Sequence, residues 1–262
     1  MPDFLDKLAI EAIERVRSGY YNHQRETPSP NKSLKISIRN CRKIPIITEL
    51  KAASPSKGTI RDASMIEEIV AAMQRGGAVG ISVLTEPECF KGSLINLIKT
   101  KSMVKIPVLM KDIIVSPRQL EAAEKVGADA VLFIKALFDR GYCELDIHNM
   151  MDLAHKLGLE VLLEAHNRHE FKSALGTEAD LLGVNNRDLR TLKVNLKTTR
   201  AVLRDFDLDG RLIVSESGIE TPGDIRYLLS SGAEAFLVGS SIMKAVDIEK
   251  KVKELTEAFQ VG

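Results

Sequence analysis

Side chains that can hold charge or pass a proton stand directly after a series of short apolar runs in this 262-residue chain. Glu49 and Lys51 follow Ile46-Ile47-Thr48, Lys111 follows Pro107-Val108-Leu109-Met110, and Lys135 follows Ala130-Val131-Leu132-Phe133-Ile134. Glu164 follows Glu160-Val161-Leu162-Leu163, Asn185 and Arg187 follow Leu181-Leu182-Gly183-Val184, and Glu216 and Ser217 follow Leu212-Ile213-Val214. A single charge at a strand end is commonly a solvated boundary. Several such ends carrying both signs point to one shared pocket, where ammonium and carboxylate groups separate each other's pKa values enough to act as acids and bases near neutral pH. Ser217-Gly218, and Gly239-Ser240-Ser241 after Ala235-Phe236-Leu237-Val238, put small residues where backbone N–H groups can approach an anion. Ser241 to Lys244 suits a short helix opening on the same mouth, so a phosphate ester is the expected handle.

Other chemistries lack their residues. Glu164, His166 and His169 could be drawn as metal ligands, but Glu-x-His-x-x-His is not the spacing of a His-Glu-x-x-His zinc helix, and no metal is expected. There is no Gly-x-Ser-x-Gly elbow or Ser-His-Asp order, Cys89 has no evident activating partner in sequence, and Gly-x-Gly-x-x-Gly is absent. The chemistry expected is therefore acid–base work by Lys and Glu without a cofactor. With 37 Lys plus Arg against 36 Asp plus Glu, the net charge of +1 gives no field toward nucleic acid or an anionic membrane. No apolar run approaches the roughly 20 residues of a membrane span. Cys41, Cys89 and Cys143 are widely spaced and odd in number, as reduced packing residues would be, and the N-terminus does not fit a secretory signal; a cytoplasmic location is expected.

The groups need a scaffold that brings many strand ends together. With Val79-Gly80-Ile81-Ser82-Val83-Leu84 the apolar runs number eight, at intervals of roughly 20 to 35 residues, the size of a βα unit. They are nearly continuous rather than alternating, the pattern of parallel strands covered by helices. Helix starts are marked by capping boxes at Ser64-Met65-Ile66-Glu67 and Ser116-Pro117-Arg118-Gln119, and more weakly at Thr221-Pro222-Gly223-Asp224. Gly76-Gly77, Gly127, Gly176 and Gly232 precede alternate strands and suggest a repeated double unit. The reading is an α/β fold, a single (βα)8 TIM barrel over 46–262, rather than an open doubly wound sheet. Residues 1–45 form an N-terminal helical extension packed on it, with a helix around Phe4, Leu5, Leu8, Ile13 and Val16 and a loop from Ser18 to Pro30. It could cap either end of the barrel.

Longer stretches carry a family likeness: Ile47-Thr48-Glu49-Leu50-Lys51-Ala52-Ala53-Ser54-Pro55-Ser56-Lys57-Gly58, Ser82-Val83-Leu84-Thr85-Glu86-Pro87 with Phe90, and Met110-Lys111-Asp112. Leu163-Glu164, Val184-Asn185-Asn186-Arg187-Asp188-Leu189, Ser215-Glu216-Ser217-Gly218 and Val238-Gly239-Ser240-Ser241 follow in order. The chain resembles the indole-3-glycerol phosphate synthase family from the first strand to the eighth. The resemblance implies a decarboxylating carbon–carbon lyase of tryptophan biosynthesis that closes 1-(2-carboxyphenylamino)-1-deoxyribulose 5-phosphate to indole-3-glycerol phosphate, with loss of carbon dioxide and water. It implies that Lys111 donates a proton to the substrate carbonyl and attracts the anthranilate carboxylate. Lys51 and Glu164 are candidates for the later acid–base step with Glu49 as a carboxylate partner; which group moves which proton stays open. Asn185, Arg187 and Glu216 would orient sugar hydroxyls and hold the charged groups. Ser54, Ser217, Gly218, Gly239 and Ser240 would bind, mostly at the phosphate end, and Phe90 would cover the anthranilate ring. Two positions depart from the family: Ile113 stands where Phe is frequent, and Ala53 where a second Lys is frequent.

Two other readings use the same barrel. An isomerase of a phosphoribosyl amine would share the phosphate cradle but typically uses a Cys or Asp acid–base pair, whereas the first strand here ends in Glu-x-Lys. A non-catalytic phosphosugar sensor would need the Ser and Gly residues but not lysines opposed to glutamates. The expected partner is the small phosphosugar–anthranilate substrate, with no nucleic acid or membrane, and the expected assembly is a monomer or weak homodimer.

Overall fold

A computed structural model describes residues 3–23, 31–51, 53–54, 58–59, 65–208 and 210–259, with 53–54 and 58–59 described by backbone alone. Eight parallel strands close into a barrel: β1 (Ile46–Leu50), β2 (Gly80–Leu84), β3 (Val108–Lys111), β4 (Ala130–Ile134), β5 (Glu160–Ala165), β6 (Leu181–Asn185), β7 (Ile213–Glu216) and β8 (Ala235–Val238). Each strand pairs with its sequence neighbours, and β8 returns to β1 through Ile46↔Phe236 and Thr48↔Val238. β1, β2, β4 and β6 are buried at every position, which is why their sequences read as apolar runs without alternation.

Between β1 and β2 lies α3 (Ile66–Arg75), and α4 (Leu94–Met103) and α5 (Pro117–Lys125) follow β2 and β3. α6 (Lys135–Asp139) and α7 (Ile147–Lys156) follow β4, with α8 (Arg168–Leu175) after β5 and α9 (Lys197–Leu203) after β6. α10 (Pro222–Leu229) follows β7, and α11 (Ser240–Lys244) and α12 (Ile248–Thr256) follow β8. The boxes at Ser116/Gln119 and Thr221/Asp224 form as expected, each with Pro in the first turn. At α3 the residue at the cap is Met65, which offers no capping oxygen, and Ser64, the expected capping residue, lies outside the described residues. Gly176 caps α8 with an ordinary φ of −84°, so it is not a left-handed stop like Gly127 or Gly232.

The segment before β1 folds as two helices at opposite ends. α1 (Phe4–Ser18) is opened by an Asp3/Asp6 capping box and buries Leu5, Leu8, Ala12 and Val16. Its C-terminal side is tied to the strand ends at the mouth: Tyr20 Oη donates to the Thr85 carbonyl, Tyr21 Oη donates to Asp112 at 3.1 Å, and Arg15 pairs with Glu86 at 3.1 Å. α2 (Leu34–Arg39) closes the other end. The Glu160 carboxylate at the start of β5 accepts from the Leu34 and Lys35 N–H groups, and Asp129, just before β4, accepts from the Lys32 N–H. Pro28 and Pro30, the expected loop residues, lie outside the described residues. No helix is long and apolar enough to cross a membrane among the described residues.

Candidate active site

Because neighbouring side chains along a strand alternate in direction, Glu49 and Lys51 share one side of β1. The register does the rest: Leu84 lies beside Lys111, Ile134 beside Glu164, and Asn185 beside Glu216, so the polar strand ends form a ring. Lys111 is its centre. Its Nζ lies 2.9 Å from Glu216, 3.4 Å from Glu49 and 4.0 Å from Glu164. Lys51 Nζ lies 3.2 Å from the other oxygen of Glu49 and 5.5 Å from the centre of the Phe90 ring. The Asn185 side-chain oxygen accepts from the Arg187 N–H at 2.9 Å, while the Arg187 guanidinium donates to the Leu192 carbonyl at 2.9 Å.

This close packing of charges shifts their titration in opposite directions. Burial alone would discharge Lys111, but the adjoining Glu216, Glu49 and Glu164 outweigh it and hold the ammonium charged far above its usual range. Glu49 is pulled below the usual carboxylate range, against its burial, by Lys51 and Lys111. Glu164 and Glu216 face each other and divide their burden: burial favours the neutral acid in both. In Glu164 this is overcome by His166, Lys111 and Asn185, so its pKa falls. In Glu216 the nearby Glu164 charge adds to burial against Lys111, so its pKa rises. Burial lowers the Arg187 pKa, opposed by Glu49.

Glycine makes this crowding possible at two points. A Cβ on Gly183 would sit 2.5 Å from Glu216 Oε1 and 3.3 Å from Glu164 Cα, and one on Gly239 would sit 2.5 Å from Glu49 Oε1. Any side chain there would displace a carboxylate.

The ring opens into a cavity of about 440 Å³, within the range of small-molecule sites. Of the residues singled out from sequence, Glu49, Lys51, Phe90, Lys111, Glu164, Asn185, Arg187, Ser217, Gly218, Gly239 and Ser240 all line it. Glu216 is fully buried behind Lys111, and the Ser54 side chain lies outside the described residues, as does that of Ala53. Ser217 takes a left-handed φ of 68°, a strained conformation for a non-glycine residue, and Gly218 follows at 86°. α11 begins at Ser240 beside this turn, and Ser241 Oγ ties the two by donating to the Ile219 carbonyl at 2.8 Å. Ile113 is buried against the cavity and supplies an aliphatic wall.

One strand-end charge is not brought in. Lys135 is in the first turn of α6 and pairs with Asp139 one turn on. β4 runs into α6 without a loop, so the backbone has already turned helical at Lys135.

Sequence reasoning missed three contributions. Phe4, Leu5 and Leu8 of α1 line the cavity, giving the extension a place at the mouth that composition could not choose. The loop after β6 adds Leu189, Leu192 and Val194, its return marked by the Arg187↔Val194 bridge. His166, weighed only as a metal ligand, sits 3.1 Å from Glu164, while His169 is exposed. A polar residue two places beyond a site carboxylate was the available signal. Glu11, Glu86 and Cys89 approach one another closely enough to share a cation, but Glu86 is already paired with Arg15.

Solved structures share the architecture. A thiamine phosphate pyrophosphorylase from Pyrococcus furiosus matches 88% of this chain and 100% of its own with a TM-score of 0.62 at 17% identity, a likeness of fold alone. Sequence relatives are much nearer. An indole-3-glycerol phosphate synthase of Methanopyrus kandleri is 41% identical over 254 residues, 95% of this chain and 97% of its own. One of Caldanaerobacter subterraneus subsp. tengcongensis is 40% identical over 223 residues, 84% of this chain and 83% of its own. The family model for indole-3-glycerol phosphate synthase matches residues 6–255. That span takes in most of α1, all eight strands and every charged member of the ring, and the chain belongs to the indole-3-glycerol phosphate synthase family, whose members are decarboxylating lyases of tryptophan biosynthesis.

Proposed function

We propose that the protein closes 1-(2-carboxyphenylamino)-1-deoxyribulose 5-phosphate to indole-3-glycerol phosphate by the following division of labour. The observation that carries it is Lys111, an ammonium held among Glu49, Glu164 and Glu216 in a cavity also lined by the small residues Ser217, Gly218, Gly239 and Ser240. The phosphate sits at Ser217-Gly218 and Gly239-Ser240, and the anthranilate ring lies against Phe90 and Ile113, all of which line the cavity.

Ring closure joins the carboxyl-bearing aromatic carbon to the substrate carbonyl carbon. The carbonyl electron pair moves to oxygen, and Lys111 stabilises that oxyanion and gives it a proton. A strongly held proton suits this role, because an alkoxide is a stronger base than an amine. The carboxylate then leaves as carbon dioxide, its bonding pair restoring the aromatic ring. In the last step an acid protonates the new hydroxyl, which departs as water, and a base removes a proton from the carbon next to nitrogen. Lys51 supplies the first proton and Glu164, held ionised, accepts the second. Glu49 orients both lysines. Asn185 and Arg187, which line the cavity, orient the sugar hydroxyls, and Glu216, buried behind Lys111, holds that ammonium rather than touching substrate.

Residues 1–45 act as an extension of the barrel over 46–262 rather than a separate domain, since α1 walls the cavity and α2 caps the opposite end. All proposed groups come from one chain, so a monomer suffices for turnover and a weak homodimer leaves the site unchanged. Three free thiols fit a cytoplasmic location.

The test is the growth of indole fluorescence when substrate is added to purified protein without metal or nucleotide. Lys111→Ala should lower turnover by about 10²–10⁴-fold while phosphate-analogue binding persists. Unchanged turnover removes Lys111 from the mechanism. Folded wild-type protein that binds the analogue but forms no indole is the sensor reading instead.

A further inference from the structure

We infer that His166 is a positioning residue for the loss of water that ends the proposed reaction: clamped between Glu164 and Glu170, it keeps the proton shared by two neighbouring carboxylates on Glu216 and leaves Glu164 free as the base. The inference rests on the function proposed above.

Three geometric facts carry it. Glu164 and Glu216 both approach Lys111 Nζ, at 4.0 and 2.9 Å, and crowd the same space over Gly183, where Glu216 Oε1 is buried with no hydrogen-bond partner among the described residues. Two carboxylate oxygens that face each other away from water need a proton between them, and geometry alone does not say which residue holds it. His166 breaks the symmetry. Its Nε2 lies 3.1 Å from Glu164 Oε1 and its Nδ1 3.4 Å from Glu170 Oε2, so a doubly flanked imidazole stands behind one carboxylate only. The contact with Glu164 is an ion pair rather than an aligned hydrogen bond, so charge is what it contributes.

The clamp is built into the start of α8. Asn167 Oδ1 accepts from the Glu170 N–H, and the Glu170 carboxylate accepts in return from the Asn167 amide and from the His166 N–H at 2.8 Å. Glu170 is thereby fixed where it can hold the imidazole. Burial would discharge His166, but Glu164 and then Glu170 push its pKa up to about 10.

The other charged groups around the pair are accounted for. From β3, Lys111 approaches both carboxylates, and from β1, Glu49 reaches them only through Lys111. On α6, Lys135 is paired with Asp139. On α8, Arg168 stacks on Phe206 while His169 and Lys172 are exposed, and on α9, Arg200 is exposed. His166 does not line the cavity, so it acts through Glu164 and not on substrate.

His166→Gln keeps a polar side chain and removes the charge. Its acidic limb of kcat against pH should move up by about one to three pH units, the effect of losing one adjacent opposite charge, with KM near the wild-type value. A histidine that merely fills space would lower the melting temperature and scale kcat equally at every pH. The independent readout is carboxyl 13C NMR of glutamate-labelled protein, with resonances assigned from Glu164→Gln and Glu216→Gln. Wild type should show Glu164 ionised and Glu216 protonated at pH 6, and His166→Gln should show protonated Glu164. A folded His166→Gln with an unmoved limb, or a wild type with the proton on Glu164, overturns the inference. If His166→Gln does not fold, Glu170→Gln must move the limb in the same direction. If wild type forms no indole, the proposed function falls and the NMR readout alone decides this one.

Discussion

Lys111 illustrates how little freedom a residue in this site retains. With Glu49, Glu164 and Glu216 all within 4.0 Å, no single carboxylate can be removed without redistributing charge on the others. The space for this arrangement is as specific as its charge. Gly183→Ala would press on Glu216 and on the β5 backbone at Glu164. It should cost about 1–3 kcal/mol of stability through overpacking and lower kcat more than it changes KM, measured by urea denaturation beside steady-state kinetics. The glutamates and lysines of the ring were legible from their positions after apolar runs. His166 was not, because two residues beyond Glu164 and four before Glu170 it reads equally as a metal ligand or a solvated polar residue, and only the folded junction of β5 with α8 sets its ring between the two carboxylates.

At the level of elements, α1 is part of the wall of the cavity. Its attachment runs through Tyr21 and Arg15 to Asp112 and Glu86, which line the cavity together with Lys111, Ile113 and Phe90. Asp112 is buried, which raises its pKa, opposed by the Thr85 hydroxyl, the Ile113 N–H, Arg15 and Tyr21. Tyr21→Phe removes one donor to that carboxyl and should destabilise the protein by about 1–3 kcal/mol, read as a lower melting temperature. KM should also rise, since the element that covers the mouth is less firmly held. Normal KM in a destabilised variant would separate α1 from substrate binding. Capping likewise belongs to this scale. Ser116 and Thr221 were readable as helix starts because a capping box is local in sequence, and each loss to Ala should cost about 1 kcal/mol in denaturation experiments.

Across the whole molecule, the titration of the site shapes stability against pH. His166 has its folded pKa raised to about 10 from an unfolded value of about 6.5. The stability its charge contributes is complete below about 6.5 and is lost as pH rises through about 10. Glu216, also raised, acts in the same direction. Stability should therefore fall across that alkaline window, and His166→Gln should flatten the decline in denaturant midpoints measured from pH 6 to 10. A decline unaltered by the substitution would place its origin elsewhere. On the acid side, Glu49 and Glu164 are lowered, so their contribution is present above the usual carboxylate pKa and lost as pH falls below it. The chain by itself determined the eight strands, their order and the identity of most polar cavity residues, because a strand buried on both faces must be an apolar run and a barrel must gather its strand ends. Only the tertiary structure decided which end each half of the extension covers, that Lys135 turns away, and that Glu164 rather than Glu216 receives the histidine. The first depends on packing between residues far apart in sequence, and the other two on the point at which a strand gives way to its helix, which sets where Lys135 and His166 stand and which the apolar runs do not mark.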